Sequence, residues 1–357
     1  MNTAGRRSGT EAVVVGAGAV GARCVRELLG AAPAGTPTVD AVTLVGRRVD
    51  RLANLSGAFG PAVRTRTETR GDPTPFDDVD VVVVTREAGE QLDVAERALR
   101  AGAHVVSTSD SLDEVRALLA LDGLAREAGR SLIVGAAMAP GLSCLLARHG
   151  AGLLDSVDEV HIARAGAGGP ACARQRRRAL RGPAVEWRDG AYVERPGFSG
   201  RELVWFPDPT AGADCYRAGL ADPLLLVDAF PQLRRASARL AASRVDRVTV
   251  ALPMLVGPPV EGAPGAIRVE VRGTRDGERH DVVYGAFDRP SVATAAVAAV
   301  AAGFAVAGRL PVGATGLAGV GDPLPILHEL ARRGIRAATF EGSREFGVID
   351  TSTDRSI

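Results

Sequence analysis

The feature that most constrains this chain is the run EAVVVGAGAVG at residues 11–21. An apolar stretch ends in glycine, and a helical pattern starts at once, with Val20, Cys24, Val25 and Leu28 recurring on one face. Gly16, Gly18 and Gly21 have the spacing G-x-G-x-x-G. Between a strand and a helix each glycine has its own task. The first permits a tight turn, the second lets a pyrophosphate approach the backbone, and the third lets helix and strand pack closely. The helix N-terminus adds free N–H groups and a positive dipole end. The loop Gly16, Ala17, Gly18, Ala19, Val20 and Gly21 is therefore expected to hold a dinucleotide.

The same rhythm continues to about residue 150. AVTLVG (41–46) reads as strand and VDRLANLSGAFG (49–60) as helix. VVVV (81–84) is a β-branched run of the kind buried on both faces of a parallel sheet. A helix over GEQLDVAERALRAG, a strand at AHVVST, one helix over SLDEVRALLALDGLAREAG and a strand at SLIVGAA follow. Strands alternating with helices imply right-handed crossovers and a doubly wound parallel sheet, a Rossmann fold of the α/β class.

After residue 155 the pattern changes. VDEVHIARAG reads as a strand, and RVDRVTVALPML and AIRVEVRGTRDGERHDVVYGAF alternate with period two, as in an antiparallel sheet. Asp276 and Gly277 mark a hairpin turn. The division expected is a tail at 1–10, a dinucleotide-binding domain at 11–150, and an α+β substrate or dimerisation domain with a mostly antiparallel sheet at 151–290. A helical segment at 291–345 is expected to pack back on the first domain, before a second tail at 346–357.

Composition narrows the function. With 43 basic and 42 acidic residues the net charge is +1, which argues against nucleic acid or an anionic membrane as partner. None of the 357 residues is lysine, so no Schiff base and no lysine general base can exist here. Cys24, Cys144, Cys172 and Cys215 form no C-x-x-C pair and read as reduced thiols of a cytoplasmic protein. No metal-ligand spacing stands out. The uncharged run at 291–308 is mostly alanine and reads as a buried helix, not a membrane span.

The end of the second strand bears on cofactor choice. An NAD binder usually places Asp or Glu there, for the ribose hydroxyls. This chain has Gly46, then Arg47 and Arg48. Glycine removes the carboxylate and makes room, and a guanidinium can grip a 2′-phosphate. NADP is the cofactor expected, ahead of NAD.

Ligands of open α/β sheets bind outside the carboxyl ends of the strands. Thr85, Thr108, Ser109 and Asp110 stand at such ends. Thr85 and Thr108 are assigned to the cofactor, and Ser109, Met138, Gly141 and Cys144 to the substrate. The helix start after Pro140 and Gly141 offers N–H groups for a substrate carboxylate. Asp110 is the one acid placed near the reacting end, where it either orients a nitrogen or caps the next helix. His149 is the histidine considered for proton transfer. The basic run ARQRRRALRG (173–182) lacks aromatic interleaving and reads as a solvated helix or loop.

With these residues in view, the chain resembles the saccharopine dehydrogenase-like NAD(P)-dependent oxidoreductases. The resemblance rests on the glycine loop, on residues 101–147 with HVVSTSDSLDEV and VGAAMAPGLSC, and on residues 285–335 from GAFDRPSV to ARRGI. It implies a Rossmann domain joined to an α/β domain that often carries the dimer surface. It also implies chemistry at a C–N bond of an amino-acid conjugate, with C=C reductases among the relatives. The chain departs from the family motif N-E-x-G-L-D-P-G-x-D-H. Pro140 and Gly141 are kept, but Gly135, Ala139, Ser143 and Cys144 replace the glutamate, both aspartates and the histidine. Ser109–Asp110 stands where the family has serine and tyrosine.

Two functions are expected to compete. One is an NADP-dependent oxidoreductase, active as a homodimer on a C=N/CH–NH or C=C bond of a small amino-acid-derived molecule. The other is a dinucleotide-binding accessory or sensor protein without turnover.

Overall fold

The computed structural model describes residues 9–30, 39–69, 72–166, 168–250, 252, 257–260, 262–341 and 345–348. The tail expected at 1–10 lies outside the described residues except for its last two positions. The first half of the chain runs β1 (Glu11–Val15), α1 (Ala19–Leu29), β2 (Ala41–Gly46), α2 (Val49–Phe59), β3 (Val63–Thr67), β4 (Val81–Val84), α3 (Leu92–Arg100), β5 (His104–Ser107), α4 (Leu112–Leu119), α5 (Asp122–Glu127), β6 (Ser131–Val134) and α6 (Leu142–Ala151). The second half runs β7 (Ser156–Ala165), α7 (Pro170–Arg181), β8 (Ala184–Arg188), β9 (Ala191–Arg195), β10 (Glu202–Trp205), β11 (Gly212–Arg217), α8 (Asp222–Ala229), β12 (Arg235–Ala241), α9 (Arg244–Thr249), β13 (Gly265–Arg275), β14 (Glu278–Asp288), α10 (Pro290–Val306), β15 (Gly313–Gly316), α11 (Leu324–Arg332), β16 (Ala337–Glu341) and β17 (Glu345–Val348).

The first sheet has seven strands in the order β15-β6-β5-β4-β1-β2-β3, and every pair in it is parallel. Helices cover both faces, so its central strands are apolar throughout; Val81 to Val84 are all buried. The strand order reverses between β1 and β4, and a crevice opens beyond the carboxyl ends there. Two strands carried no apolar signal. β3 is VRTRT at one edge, and β15 is GATG, which joins the other edge from far along the chain.

The second sheet has ten strands, ordered β10-β11-β12-β7-β13-β14-β16-β17, with β8 and β9 attached beside β12. All its pairs are antiparallel except β7 with β12. Asp276 at φ 53° and Gly277 at φ 81° turn the long β13–β14 hairpin, since a two-residue turn of this hand needs positive φ at both positions. Helices α6 and α8 cover one face of this sheet. The other face is open, with Leu203 and Trp205 each 59% exposed.

Helix α10 returns the chain to the first sheet, packing along α1 and against β4 and β5. It is buried from Ala295 to Ala305, because alanine lets two helices approach closely. No helix among the described residues is long and apolar enough to cross a membrane.

Three local readings are corrected. RVDRVT is helix α9 and not a strand, because Ser243 and Asp246 close a capping box: the Ser243 hydroxyl accepts from Asp246 N–H at 3.1 Å, and the Asp246 carboxylate accepts from Ser243 N–H at 2.8 Å. Most of the ALPML that follows lies outside the described residues. The single helix expected over 111–129 is broken into α4 and α5. The break lets the Asp122 carboxylate accept from Ala314 N–H at 2.9 Å and so fasten the edge strand β15. Residues 346–348, assigned to a tail, belong to β17, which pairs with β16; the rest of that tail lies outside the described residues.

Candidate functional site

The site begins at the glycine loop. Gly16 has φ +124°, and a Cβ there would lie 2.6 Å from Thr85 Oγ1. The Thr85 hydroxyl instead donates to Gly16 O at 2.9 Å and ties the loop to the end of β4. A Cβ on Gly21 would fall 1.7 Å from Gly16 O, so α1 and the loop meet only because that position is bare. Around Gly18 a Cβ would meet nothing within 4 Å. The first turn of α1 has no acid, and no side chain caps it. A bare backbone, open space and unclaimed helix-start N–H groups fit a dinucleotide pyrophosphate.

Beside the loop, the end of β2 differs from expectation. A Cβ on Gly46 would lie 2.8 Å from Ala17 Cβ. The glycine is therefore required by the packing of the loop, and does not clear room for a phosphate. Arg47 and Arg48 both have carboxylate partners. Arg47 meets Glu90 at 3.2 and 3.0 Å, and Arg48 meets Asp50 at 2.6 Å.

Beyond the ends of β4, β5 and β6 lies a cavity of about 180 Å³. Val20, Thr85, Thr108, Ser109, Asp110 and Met138 line it from the first domain. Arg164, Cys172, Gln175, Ile267 and Thr294 line it from the second half of the chain. A larger cavity, of about 340 Å³, lies on the open face of the second sheet and shares no residue with the glycine loop or the crevice.

Asp110 is directed into the crevice. Its carboxylate is 3.2 Å from Arg164, with side chains only 24% and 13% exposed. Arg164 also donates to Ala139 O, which fixes the guanidinium against the crevice floor. Helix α4 begins at the N-cap Ser111 with no side-chain cap, so Asp110 does not serve as one. The Ser109 hydroxyl donates to Glu114 at 2.6 Å, and Thr108 donates to Val84 O at 3.0 Å. Met138 N–H donates to Thr294 Oγ1 at 3.2 Å, joining the floor to α10.

The start of α6 is built differently from the expected carboxylate seat. Leu142 N–H donates to Ala137 O at 2.9 Å, and Ser143 N–H to Met138 O at 3.2 Å. Gly141 has φ +130°, and a Cβ there would lie 2.1 Å from Ala137 O. The loop has folded back on the helix start and taken its donors. Gly141 and Cys144 accordingly stand behind the crevice wall and not in it. Burial pushes the Cys144 thiol up to about 12. Ser143 donates to Asp222, whose own carboxyl is fully buried and pushed up by that burial.

His149 is not brought to the crevice either. It does not line the cavity, and it lies seven residues along α6 from Leu142, roughly 10 Å along the axis. Its Nδ1 lies 2.6 Å from Tyr284 Oη, and burial holds its pKa below the usual value.

Helix α7 supplies what the sequence did not disclose. Its arginines are structural cross-ties: Arg174 pairs with Glu87, Arg176 with Asp246 at 3.2 Å and Ala241 O at 2.7 Å, and Arg177 with Thr249 O at 2.6 Å. The Arg174–Glu87 pair joins the second domain to the loop after β4. Arg164 and Gln175 escaped notice because each sits in a stretch with an ordinary reading, one a strand and the other a basic helix. Only the approach of the two domains gives them a role.

Among solved structures, the chain is similar to saccharopine dehydrogenase (L-Glu forming) from Saccharomyces cerevisiae, over 93% of this chain and 100% of that one, at 15% identity and a TM-score of 0.64. Lower similarity is found to an amine dehydrogenase from Mycobacterium smegmatis (88% and 96% covered, 14% identity, TM-score 0.48) and to DAP dehydrogenase from C. glutamicum (92% and 99%, 16%, 0.46). No family model matches the chain, and no curated protein matches its sequence. The first likeness spans both domains and shows a saccharopine dehydrogenase-like fold, a Rossmann sheet joined to a mixed sheet.

Proposed function

We propose that this chain is an NADP-dependent oxidoreductase acting on the C=N/CH–NH bond of a small amino-acid-derived substrate, with a C=C bond as the alternative. The observation that carries the reading is the placement of two features on one edge of the parallel sheet. The glycine loop opens there, and so does the crevice holding Asp110 and Arg164. The bound nicotinamide would supply or accept the hydride. The protein's part is to hold the substrate. Arg164 offers a guanidinium to a carboxylate, and Asp110 an acceptor to a nitrogen. Val20, Thr108 and Met138 shape the wall near the ring. Arg47 and Arg48 at the end of β2 support NADP over NAD. The open face of the second sheet, with its rows of Arg and Glu around Trp205, suits a homodimer, since such rows can pair with those of a second copy. Four unpaired cysteines favour the reducing cytoplasm.

One observation favours the second reading, a dinucleotide-binding accessory or sensor protein. Among the described residues no histidine lines the crevice, and the two carboxylates that do, Asp110 and Glu87, are both in ion pairs. Nicotinamide absorbance separates the two. The enzyme reading expects NADPH oxidation with at least one member of a panel of imino acids, 2-oxo acids with ammonia, and unsaturated acids. It also expects that rate to fall at least about tenfold in Asp110→Asn or Arg164→Met. Tight NADPH binding with no oxidation across the panel would leave the sensor.

A further inference from the structure

We infer that Glu90 sets the dinucleotide preference of this site, by holding in the fork of Arg47 the place that a 2′-phosphate would take. The inference rests on the dinucleotide-binding reading and goes beyond it, because it names a residue that opposes NADP.

Dinucleotide choice is made beyond the end of β2. Gly46 can carry no side chain without pushing the glycine loop away through Ala17. Discrimination at the ribose therefore passes to the residues that follow and to whatever faces them. Arg47 follows, and Glu90 faces it. Arg47 Nη1 donates to Glu90 Oε1 at 3.2 Å, and Nη2 lies 3.0 Å from Oε2 in an ion pair that makes no second hydrogen bond. The carboxylate thus occupies the guanidinium edge that would otherwise face a phosphate. One fork cannot hold both anions in full.

Glu90 is also firmly mounted. The neighbouring Gln91 is buried and bonded three ways: its N–H donates to Glu114 at 2.7 Å, its side-chain amide donates to Arg86 O at 2.7 Å, and its carbonyl accepts from Ser107 at 2.8 Å. On the other side Gly89, at φ +92°, sets the turn. The carboxylate can rotate, but its backbone cannot leave the ribose end of the site.

The surrounding charges are matched in the same way. Arg86 at the end of β4 is held by Glu68, and Arg48 by Asp50. Arg47 and Glu90 act on Arg86 with opposite sign, which places the three groups in one electrostatic neighbourhood. A 2′-phosphate arriving at Arg47 meets a cation that is already paired. It must take Arg47 from Glu90 and then lie beside the displaced carboxylate. A 2′-hydroxyl leaves the pair in place.

The test is calorimetric titration of NADPH and NADH into the full chain, wild type against Glu90→Gln and Glu90→Ala, with melting curves as a check on folding. Both variants should bind NADPH about three- to tenfold more tightly, as expected for losing a competing exposed ion pair, while NADH changes by less than about twofold. Adding Arg47→Ala should cancel the gain. A wild type that takes NADH alone, converted by Glu90→Gln into a protein that takes both, would support the inference while overturning the NADP preference proposed above. NADPH affinity that is unchanged or weaker in both variants overturns the inference alone, as does an equal gain for NADH. Failure of wild type and both variants to bind either dinucleotide overturns it together with the reading beneath it.

Discussion

The two ends of the proposed site are built by different means. The phosphate end is made of backbone from one short stretch, where Gly16, Gly18 and Gly21 succeed by having no side chain. The reacting end is made of side chains from four distant places: Asp110 after β5, Arg164 at the end of β7, Gln175 on α7 and Thr294 on α10. A backbone site is specified by local spacing and can be read from a sequence. A side-chain site exists only after two domains have met, and nothing local announces it. The phosphate end can therefore be shared by many proteins, and the reacting end is where this one is individual.

The sharpest way to break that comparison lies in the glycines. Gly18→Val should abolish dinucleotide binding with little change in melting temperature, because a Cβ there meets nothing within 4 Å. Gly21→Val should prevent folding, since even a Cβ would fall 1.7 Å from Gly16 O. Equal stability loss in both variants, read by thermal melting, would show that the loop is structural throughout.

Next in size is Arg47→Ala. Losing a charge-assisted contact to a phosphate costs about 1.5–3 kcal/mol, so NADPH affinity should fall roughly ten- to a hundredfold, with NADH nearly unaffected. Titration with both dinucleotides reads this, and an equal loss for the two would remove the 2′-phosphate from the account.

At the reacting end, Arg164→Met leaves Asp110 partly buried without its partner. We expect the melting temperature to fall by about 2–4 °C, and to recover in part when Asp110→Asn is added. Simple addition of the two single effects would mean that the pair is not coupled.

The smallest effect is with pH. His104 accepts from Ser131 N–H at 3.1 Å, and its pKa is pushed down to about 4, chiefly by burial and secondarily by Arg130. Its folded pKa is below the unfolded value, so protons bind better to the unfolded chain. The stability owed to neutral His104 is present above about pH 6.5 and is lost as the pH falls toward 4. His149 beside Tyr284 shifts in the same direction. Melting curves between these limits should fall with acid, and His104→Gln, which keeps an acceptor for Ser131, should flatten the decline.

Much of the fold was legible. The apolar runs of β1, β2, β4, β5 and β6 and the helical periods between them define the parallel sheet. β3 and β15 were not legible: VRTRT is largely unburied at one edge, and GATG, though mostly buried, has no side chain large enough to show an apolar run. α9 was misread because VDRVTV alternates like a strand, while a capping box decides for helix. In the site, Thr85, Thr108 and Asp110 could be placed by the rule of strand ends. Gly141 and Cys144 stand outside the crevice lining, because a helix start looks the same in sequence whether its donors are free or taken by a loop, and His149 stands farther along the helix against Tyr284.

One dinucleotide is expected to span both ends, phosphates at the bare loop and nicotinamide among the side chains. A crystal structure with NADPH is the decisive test. The pyrophosphate should lie over Gly18 against the first N–H groups of α1, with the nicotinamide in the crevice between Val20, Thr108 and Met138, facing Asp110 and Arg164. A nicotinamide lying outside that crevice, or crystals that take up no dinucleotide at saturating concentration, would contradict it.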